Sequence, residues 1–355
     1  MSRILIGLLL TGIAAVSWAD SIDSYVEAEM VRQHIPGLSL AIVRQGALER
    51  VRGYGWANLE HKVPVNAETV FQSGSVGKQF TATVVMLLVE DGKLSLDESI
   101  RRYWPQAPRA WSAITPRHLL NHTSGLYGDP GLDARRDYSD EQMLQLIYKV
   151  KQEFPAGDRW EYSNTGYVLL GLLIRKVSGE FYGDILARRV FAPLNMHTAR
   201  VISDRDIVMN RAAGYEVKPN GATSNQDWVA PTGNSTADGS LYLTALDYVK
   251  WHEGLRAGKI LAAQSWAEVY RPARLNSGAT HPYGFGWFLE SVAGQDVRYH
   301  SGGWQGFSTF FIRYLGDDLA IIVLANSDLA DPNPIARGVA GLLDPKLAPA
   351  SVPSP

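Results

Sequence analysis

Between Val76 and Val89 the chain is apolar or uncharged at every position but one, Lys78. Phe80, Val84, Leu87 and Leu88 recur at i, i+4, i+7 and i+8, which predicts a helix buried in a core. Such a helix needs layers of structure around it, and 355 residues with 46% hydrophobic content supply enough for one large domain or two subdomains. Lys78 is the anomaly. A lone ammonium in an apolar helix is costly unless it is paired or deprotonated. Residues i and i+3 share a helical face, so Ser75 is expected beside it.

A formal net charge of −2 gives no basic stripe for nucleic acid. With no cysteine, disulfides, thiolate zinc sites and cysteine nucleophiles are excluded. Met1 to Ala19 carries a basic start (Arg3), an apolar run from Ile4 to Val16 and Ser17-Trp18-Ala19 as a small-x-small site. It reads as a secretory leader cleaved after Ala19, which places the product in the periplasm or outside a bacterium. The run is shorter than the roughly 20 residues of a spanning helix, so no membrane span is expected after cleavage.

Ser21 to His34 is expected as an amphipathic helix, followed by a hairpin of Leu38–Arg44 and Leu48–Tyr54 about Gln45-Gly46. Gly92 should stop the buried helix. Thr115-Pro116 reads as cap and first residue of a short helix, and Ser139-Asp140-Glu141 as the start of another. Thr165 to Val177 and Leu246 to Leu255 are helical patterns, and residues 203–240 read as long connections. Gly284–Ser291, Val297–Ser301, Ser308–Tyr314 and Leu319–Ala325 form an antiparallel meander, before a terminal helix Ile335–Leu343 and a Pro/Ser-rich tail. The order of strand-rich, helix-rich and strand-rich segments predicts an α/β fold: one mainly antiparallel sheet built from both ends and flanked by helices, with a helical subdomain inserted. The expected division is leader 1–19, sheet subdomain 20–74 with 255–345, helical subdomain 75–254 and tail 346–355.

Three short patterns carry chemistry. Ser75-Val76-Gly77-Lys78 matches S-x-x-K, in which a serine attacks a carbonyl and the lysine assists proton removal. A phosphate-binding loop would need Gly at 72 and Ser or Thr at 79, and an α/β-hydrolase elbow would need Gly at 73; the chain has Gln72, Gln79 and Ser73. Tyr162-Ser163-Asn164 offers a phenol and a carboxamide at a helix start, where the plain alternative is that Asn164 only caps the helix. A phenol can share a proton with a lysine, and an amide can orient both. In His300-Ser301-Gly302-Gly303-Trp304 the paired glycines permit close backbone approach, the plain alternative being a bulge or tight turn. The Gly303 and Ser75 amides are the candidate oxyanion donors.

His118 and His122 are four apart, but Leu119-Leu120-Asn121 lacks the Glu of H-E-x-x-H, so they are expected to close a helix end and pack under the site rather than bind metal. No cofactor is called for. Tyr127, Trp160, Tyr283, Trp287 and Trp304 lie near the motifs, as cleft lining or as core.

Taken in this order the three patterns resemble those of the penicillin-recognising serine hydrolases: class C β-lactamases, D-alanyl-D-alanine carboxypeptidases and related esterases and D-aminopeptidases. Ile114–Leu126, Tyr162–Tyr167, Asp238–Tyr242 and Tyr283–Trp287 extend the resemblance, which runs from about residue 25 to 343. It implies a β-lactamase-like fold with the site between sheet and helical parts. It also implies that Ser75 forms an acyl-enzyme, that Lys78 and Tyr162 share the general-base work, and that Asn164 orients the substrate amide or Lys78. His300, Ser301, Gly302 and Gly303 would bind substrate and oxyanion. His300 stands where the family usually has Lys, which weakens carboxylate recognition because histidine carries little charge at neutral pH. The expected activity is therefore a secreted serine hydrolase acting on a D-amino-acid peptide or carboxylic ester. A class C-like β-lactamase and a non-catalytic cell-wall-binding module are the competing readings. A small-molecule or peptide substrate is the expected partner.

Overall fold

The computed structural model describes residues 10–128 and 130–349. The first nine residues of the expected leader, and the tail from residue 350, lie outside the described residues. A helix spans Leu10–Gln33, so the amphipathic helix expected from Ser21 continues N-terminally. Among the described residues no helix is long and apolar enough to cross a membrane.

Seven strands make the main sheet: β1 (Gly37–Arg44), β2 (Ala47–Asn58), β3 (Val63–Pro64), β4 (Phe288–Val292), β5 (Gln295–Trp304), β6 (Phe307–Tyr314) and β7 (Leu319–Ala325). They pair antiparallel in the order β4-β5-β6-β7-β1-β2-β3. The N-terminal hairpin and the C-terminal meander are thus joined along β1 and β7, with Leu38 opposite Ala325 and Arg44 opposite Leu319. Gln45 and Gly46 both have positive φ (51° and 75°), the backbone of the tightest hairpin turns, which matches strand twist.

Both sheet faces are covered, which explains why β7 is apolar at every residue rather than alternating. Leu38, Leu40, Ile42, Ile321 and Val323 pack with Ile22 and Val26 of the first helix and Ile335 and Val339 of the Pro332–Leu343 helix. Ala41, Val43, Ile322 and Leu324 face the other way, into the core that holds Val84, Leu169 and Trp251. At roughly 25 cal/mol per Å² of apolar surface, this two-sided burial is the main favourable contribution to the sheet. The Lys78–Glu90 helix is buried from Lys78 to Leu88, as its sequence demands.

The meander departs from expectation at two places. β4 begins at Phe288, because Gly286 adopts φ 77° and the Gly284 amide turns back to the Trp287 carbonyl at 2.8 Å. A side chain on Gly286 would lie 2.9 Å from Lys78 and Gln79 backbone atoms, so this turn braces the buried helix. The paired glycines of β5 are neither bulge nor turn. Pairing runs unbroken through Gly302 with Thr309 and Gly303 with Ser308, and the chain reverses after Trp304.

Between the sheet's two ends lie the helical segments, including Pro116–Leu120, Asp140–Ile147, Asn164–Ser178 and Ala245–Arg256. Thr115 and Ser139 cap their helices as expected. The short helices Tyr182–Leu186 and Ala263–Val269 went unanticipated, and residues 203–240 include a small hairpin, Tyr215–Val217 with Thr223–Asn225. Pro345–Leu347 forms a 3-10 turn with Leu347 buried.

Candidate active site

Ser75 sits where three backbones converge. The short strand Phe71–Gln72 pairs with Leu241–Leu243. Ser73 then ties the next residues down, its hydroxyl donating to the Gly239 carbonyl at 2.6 Å. Gly74 follows with φ 49° and opens the 3-10 turn Gly74–Gly77 that feeds the buried helix. A Cβ on Gly74 would lie 2.5 Å from the Gly303 nitrogen, one on Gly302 2.2 Å from the Ser73 carbonyl oxygen, and one on Gly239 2.2 Å from the Gly74 carbonyl oxygen. Glycines from three distant segments therefore allow β5 and the 239 turn to clasp the Ser75 backbone. At Gly303 nothing stands within 4 Å of a would-be Cβ, so that position faces open space.

Lys78 is wholly buried. Its three ammonium hydrogens have three acceptors: Ser75 Oγ at 3.0 Å, Asn164 Oδ1 at 2.8 Å and the Asp238 carbonyl at 2.6 Å. This satisfies the burial with neutral oxygens and no carboxylate. The same Nζ lies 5.0 Å from the Tyr162 ring centre and 5.3 Å from that of Tyr167, within cation–π range. Thr81, one turn on, donates to the Ala237 carbonyl at 2.6 Å and fastens the helix to the same loop.

Asn164 is not the cap. Ser163 caps the Asn164–Ser178 helix, accepting from the Gly166 amide at 2.9 Å, while its hydroxyl donates to the Leu126 carbonyl. Asn164 becomes the first helical residue, and its side chain is released toward Lys78. Tyr162, one residue before the cap, packs against His122 with ring centres 4.3 Å apart and planes tilted by 37°. Its phenol oxygen is buried and has no hydrogen-bond partner among the described residues.

His300 projects from β5 into a ring of aromatics. Its Nε2 meets the Tyr283 hydroxyl at 3.0 Å and its Nδ1 the Ser301 carbonyl at 2.5 Å. Burial, and then the charge on Lys78, pushes the imidazole down to about 3, so it is uncharged near neutral pH. Tyr283 also meets His122 Nε2, at 3.1 Å, and the Ser163 amide donates to His122 Nδ1 at 3.1 Å. Tyr283 and Trp287 are fully buried and belong to the core, whereas Tyr127 is exposed. His118 folds back onto its own cap, its Nδ1 accepting from the Thr115 amide at 3.2 Å, and it does not join His122. A separate cavity of about 620 Å³ opens between Tyr138, Arg175, Tyr182 and Thr232, with none of Ser75, Lys78, Tyr162 or His300 in its wall.

The structure therefore brings Ser75, Lys78, Tyr162, Asn164 and the His300–Gly303 segment together from three regions of the chain. A model of the Beta-lactamase family matches residues 22–343. The chain belongs to this family. It is 31% identical over 293 residues to penicillin-binding protein 4* of Bacillus subtilis, covering 78% of this chain and 64% of that protein. It thus spans less than two thirds of the length of that curated relative. Among solved structures, the D-amino acid amidase of Ochrobactrum anthropi SV3 superimposes with a TM-score of 0.78 at 27% identity, covering 93% of this chain and 97% of the amidase. The octameric penicillin-binding protein homologue of Pyrococcus abyssi gives 0.80 at 27% identity, covering 92% and 77%.

In this beta-lactamase-family site two contributors escaped the sequence reading. One is the Asp238 carbonyl, third acceptor of Lys78; the only signal was the Asp238-Gly239 pair at the start of the Asp238–Tyr242 segment. The other is His122, whose place was expected only as packing beneath the site.

Proposed function

We propose that the protein is a serine hydrolase that cleaves an amide or ester by acyl transfer through Ser75, with D-amino-acid amides or peptides and carboxylic esters ahead of β-lactams. The observation that carries this reading is Lys78: a buried lysine with its nitrogen 3.0 Å from a serine oxygen and its other hydrogens on neutral acceptors. Ser75 Oγ attacks the carbonyl carbon while its proton passes to the Lys78–Tyr162 pair, which acts in the form one proton short of ammonium plus phenol: a neutral Lys78 amine beside the phenol, or the ammonium beside a Tyr162 phenolate. The C–N or C–O bond then breaks, and the leaving amine or alcohol takes that proton. Water repeats the sequence in reverse to release the acid and restore Ser75. The Ser75 and Gly303 amides are assigned to the oxyanion; one such donor is worth about 2.7 to 4 kcal/mol.

Uncharged His300 favours neutral substrates, since it offers a substrate carboxylate no positive charge where the family's usual Lys would. The likeness to a D-amino acid amidase points the same way. The leader read in residues 1–19 supports secretion.

Intact-mass spectrometry after incubation with a D-amino-acid amide, a p-nitrophenyl ester, a D-alanyl peptide and a penicillin tests the proposal. An adduct or turnover with the first three that vanishes in Ser75→Ala is expected. Labelling that survives Ser75→Ala would overturn it, and rapid penicillin turnover alone would favour the β-lactamase reading.

A further inference from the structure

The two ends of the chain of contacts through Tyr283 fix every proton within it. A backbone amide can only donate, so the Ser163 N–H at 3.1 Å makes His122 Nδ1 an acceptor. A carbonyl can only accept, so the Ser301 oxygen at 2.5 Å places a proton on His300 Nδ1. Both imidazoles are buried and held in the neutral form, by desolvation first and by the nearby Lys78 charge second. His122 therefore carries its single proton on Nε2, and His300 has a bare Nε2. The Tyr283 hydroxyl between them must accept from His122 at 3.1 Å and donate to His300 at 3.0 Å. Tyr167 alongside gives its own proton to the Leu120 carbonyl at 2.8 Å, so it faces Tyr283 only as a second acceptor beside the His300 Nε2 at 3.0 Å.

We infer that His122 is a positioning residue for the reaction, holding the Tyr162–Asn164 segment by one ring nitrogen and, through Tyr283, the His300 imidazole of β5 by the other. This deepens the proposed function and rests on it. His122 touches neither Ser75 nor substrate. Its place is what makes it effective: it lies on the turn after the Pro116–Leu120 helix, wholly buried at φ 62°, between two segments far apart in sequence. The Glu161 amide bonds its carbonyl at 2.9 Å, so backbone and side chain both grip the residues that flank Tyr162. The Tyr162 ring packs against the imidazole itself at a tilt, 4.3 Å between centres. Around His300 the titratable or charged groups are Lys78, Tyr162, Tyr283 and His122, and Phe288 at 5.2 Å adds only an apolar wall.

The test separates the two arms of His122. In His122→Asn the amide oxygen can accept from Ser163, and asparagine tolerates positive φ, but the link to Tyr283 is lost. Tyr283→Phe removes one hydroxyl and breaks the same link from the other side. Each is expected to lower kcat about 10- to 100-fold with KM near the wild-type value, as small misplacements of a site do. Imidazole nitrogen NMR on the wild-type protein, assigned with His122→Gln and His300→Gln, should show His122 protonated on Nε2 and His300 on Nδ1. His122→Asn should move the His300 nitrogen signals, and should have no further effect on them or on kcat in a Tyr283→Phe background. The inference is overturned by the opposite tautomers in the wild type. It is equally overturned if His122→Asn leaves kcat and the His300 signals untouched while only lowering the melting temperature, or if its full effect persists without Tyr283. The NMR measurement needs no substrate, so absence of acylation in the wild type would defeat the proposed function without deciding the tautomers.

Discussion

Asn164 accepts from Lys78 at 2.8 Å because its neighbour Ser163 has taken over the capping of the helix that both begin. Either residue type suits a cap, yet the structure divides the work: the serine terminates the helix and the asparagine serves the buried ammonium. Asn164→Ala should slow acylation by about 100-fold, within the range for a positioned proton-transfer partner, while costing about 1 kcal/mol or less in stability. Ser163→Ala should do the reverse in stability, costing about 1 to 2 kcal/mol through the lost cap and the orphaned Leu126 carbonyl. Urea unfolding and acylation rates for both variants check the division, and equal stability losses would contradict it.

The adjacent glycines of β5 make a sharper pair. A Cβ at 302 would stand 2.2 Å from the Ser73 carbonyl oxygen, whereas one at 303 meets nothing within 4 Å. Gly302→Ala should therefore push β5 away from the Ser75 turn, costing about 1 to 3 kcal/mol and most of the activity. Gly303→Ala should fold with stability within about 0.5 kcal/mol of the parent, as an unstrained surface change does. Thermal unfolding of both proteins decides it; a Gly302→Ala protein as stable and active as the parent would refute the close approach.

Lys78→Met should separate catalysis from folding. The ammonium is fully buried, and an apolar side chain of similar length in its place removes both a desolvation cost and three hydrogen bonds. Turnover should fall by about 10² to 10⁴, the usual span for loss of a general acid–base group. The unfolding free energy should move by no more than about 2 kcal/mol, since these opposing contributions largely offset each other. A collapse of stability as large as that of activity would make Lys78 a structural residue first.

Much of this site was legible because Lys78 violates its surroundings. A charge in an otherwise apolar helix with a serine one turn earlier is a local signal, and the structure places the two 3.0 Å apart. The sheet was legible for a similar reason, since β1 and β7 show their buried faces as unbroken apolar runs. What was not legible depends on partners distant in the chain. Gly302 and Gly303 read as a place of close backbone approach or as a bulge or tight turn, because the backbone that requires Gly302, Ser73 to Gly74, lies more than two hundred residues earlier. Tyr283 and Trp287 read equally as cleft lining or core, and only tertiary packing makes them core. His122 gave a faint sign, a polar residue just past a capped helix, but its two partners come from two other segments.

Acid should unfold this protein through its buried histidines. Burial is the first cause that lowers His122, His252 and His300; it takes His252 to about 4 and His300 to about 3. His252 accepts the Arg313 Nε–H at 3.1 Å, which only a neutral imidazole can do, and protonation would set a second cation against a buried guanidinium. Each histidine regains its ordinary value of 6.5 on unfolding. Below that pH the unfolded chain therefore binds more protons than the native one, and stability present above about 6.5 is lost as pH falls. Each such histidine contributes a slope of about 1.4 kcal/mol per pH unit, for His252 until about pH 4. His252→Asn keeps an acceptor for Arg313 but cannot titrate, so it should flatten the dependence of unfolding free energy on pH by one such increment between about pH 6 and pH 5. Urea titrations of parent and variant across that window give the answer, and identical slopes would show that His252 does not take up its proton on unfolding.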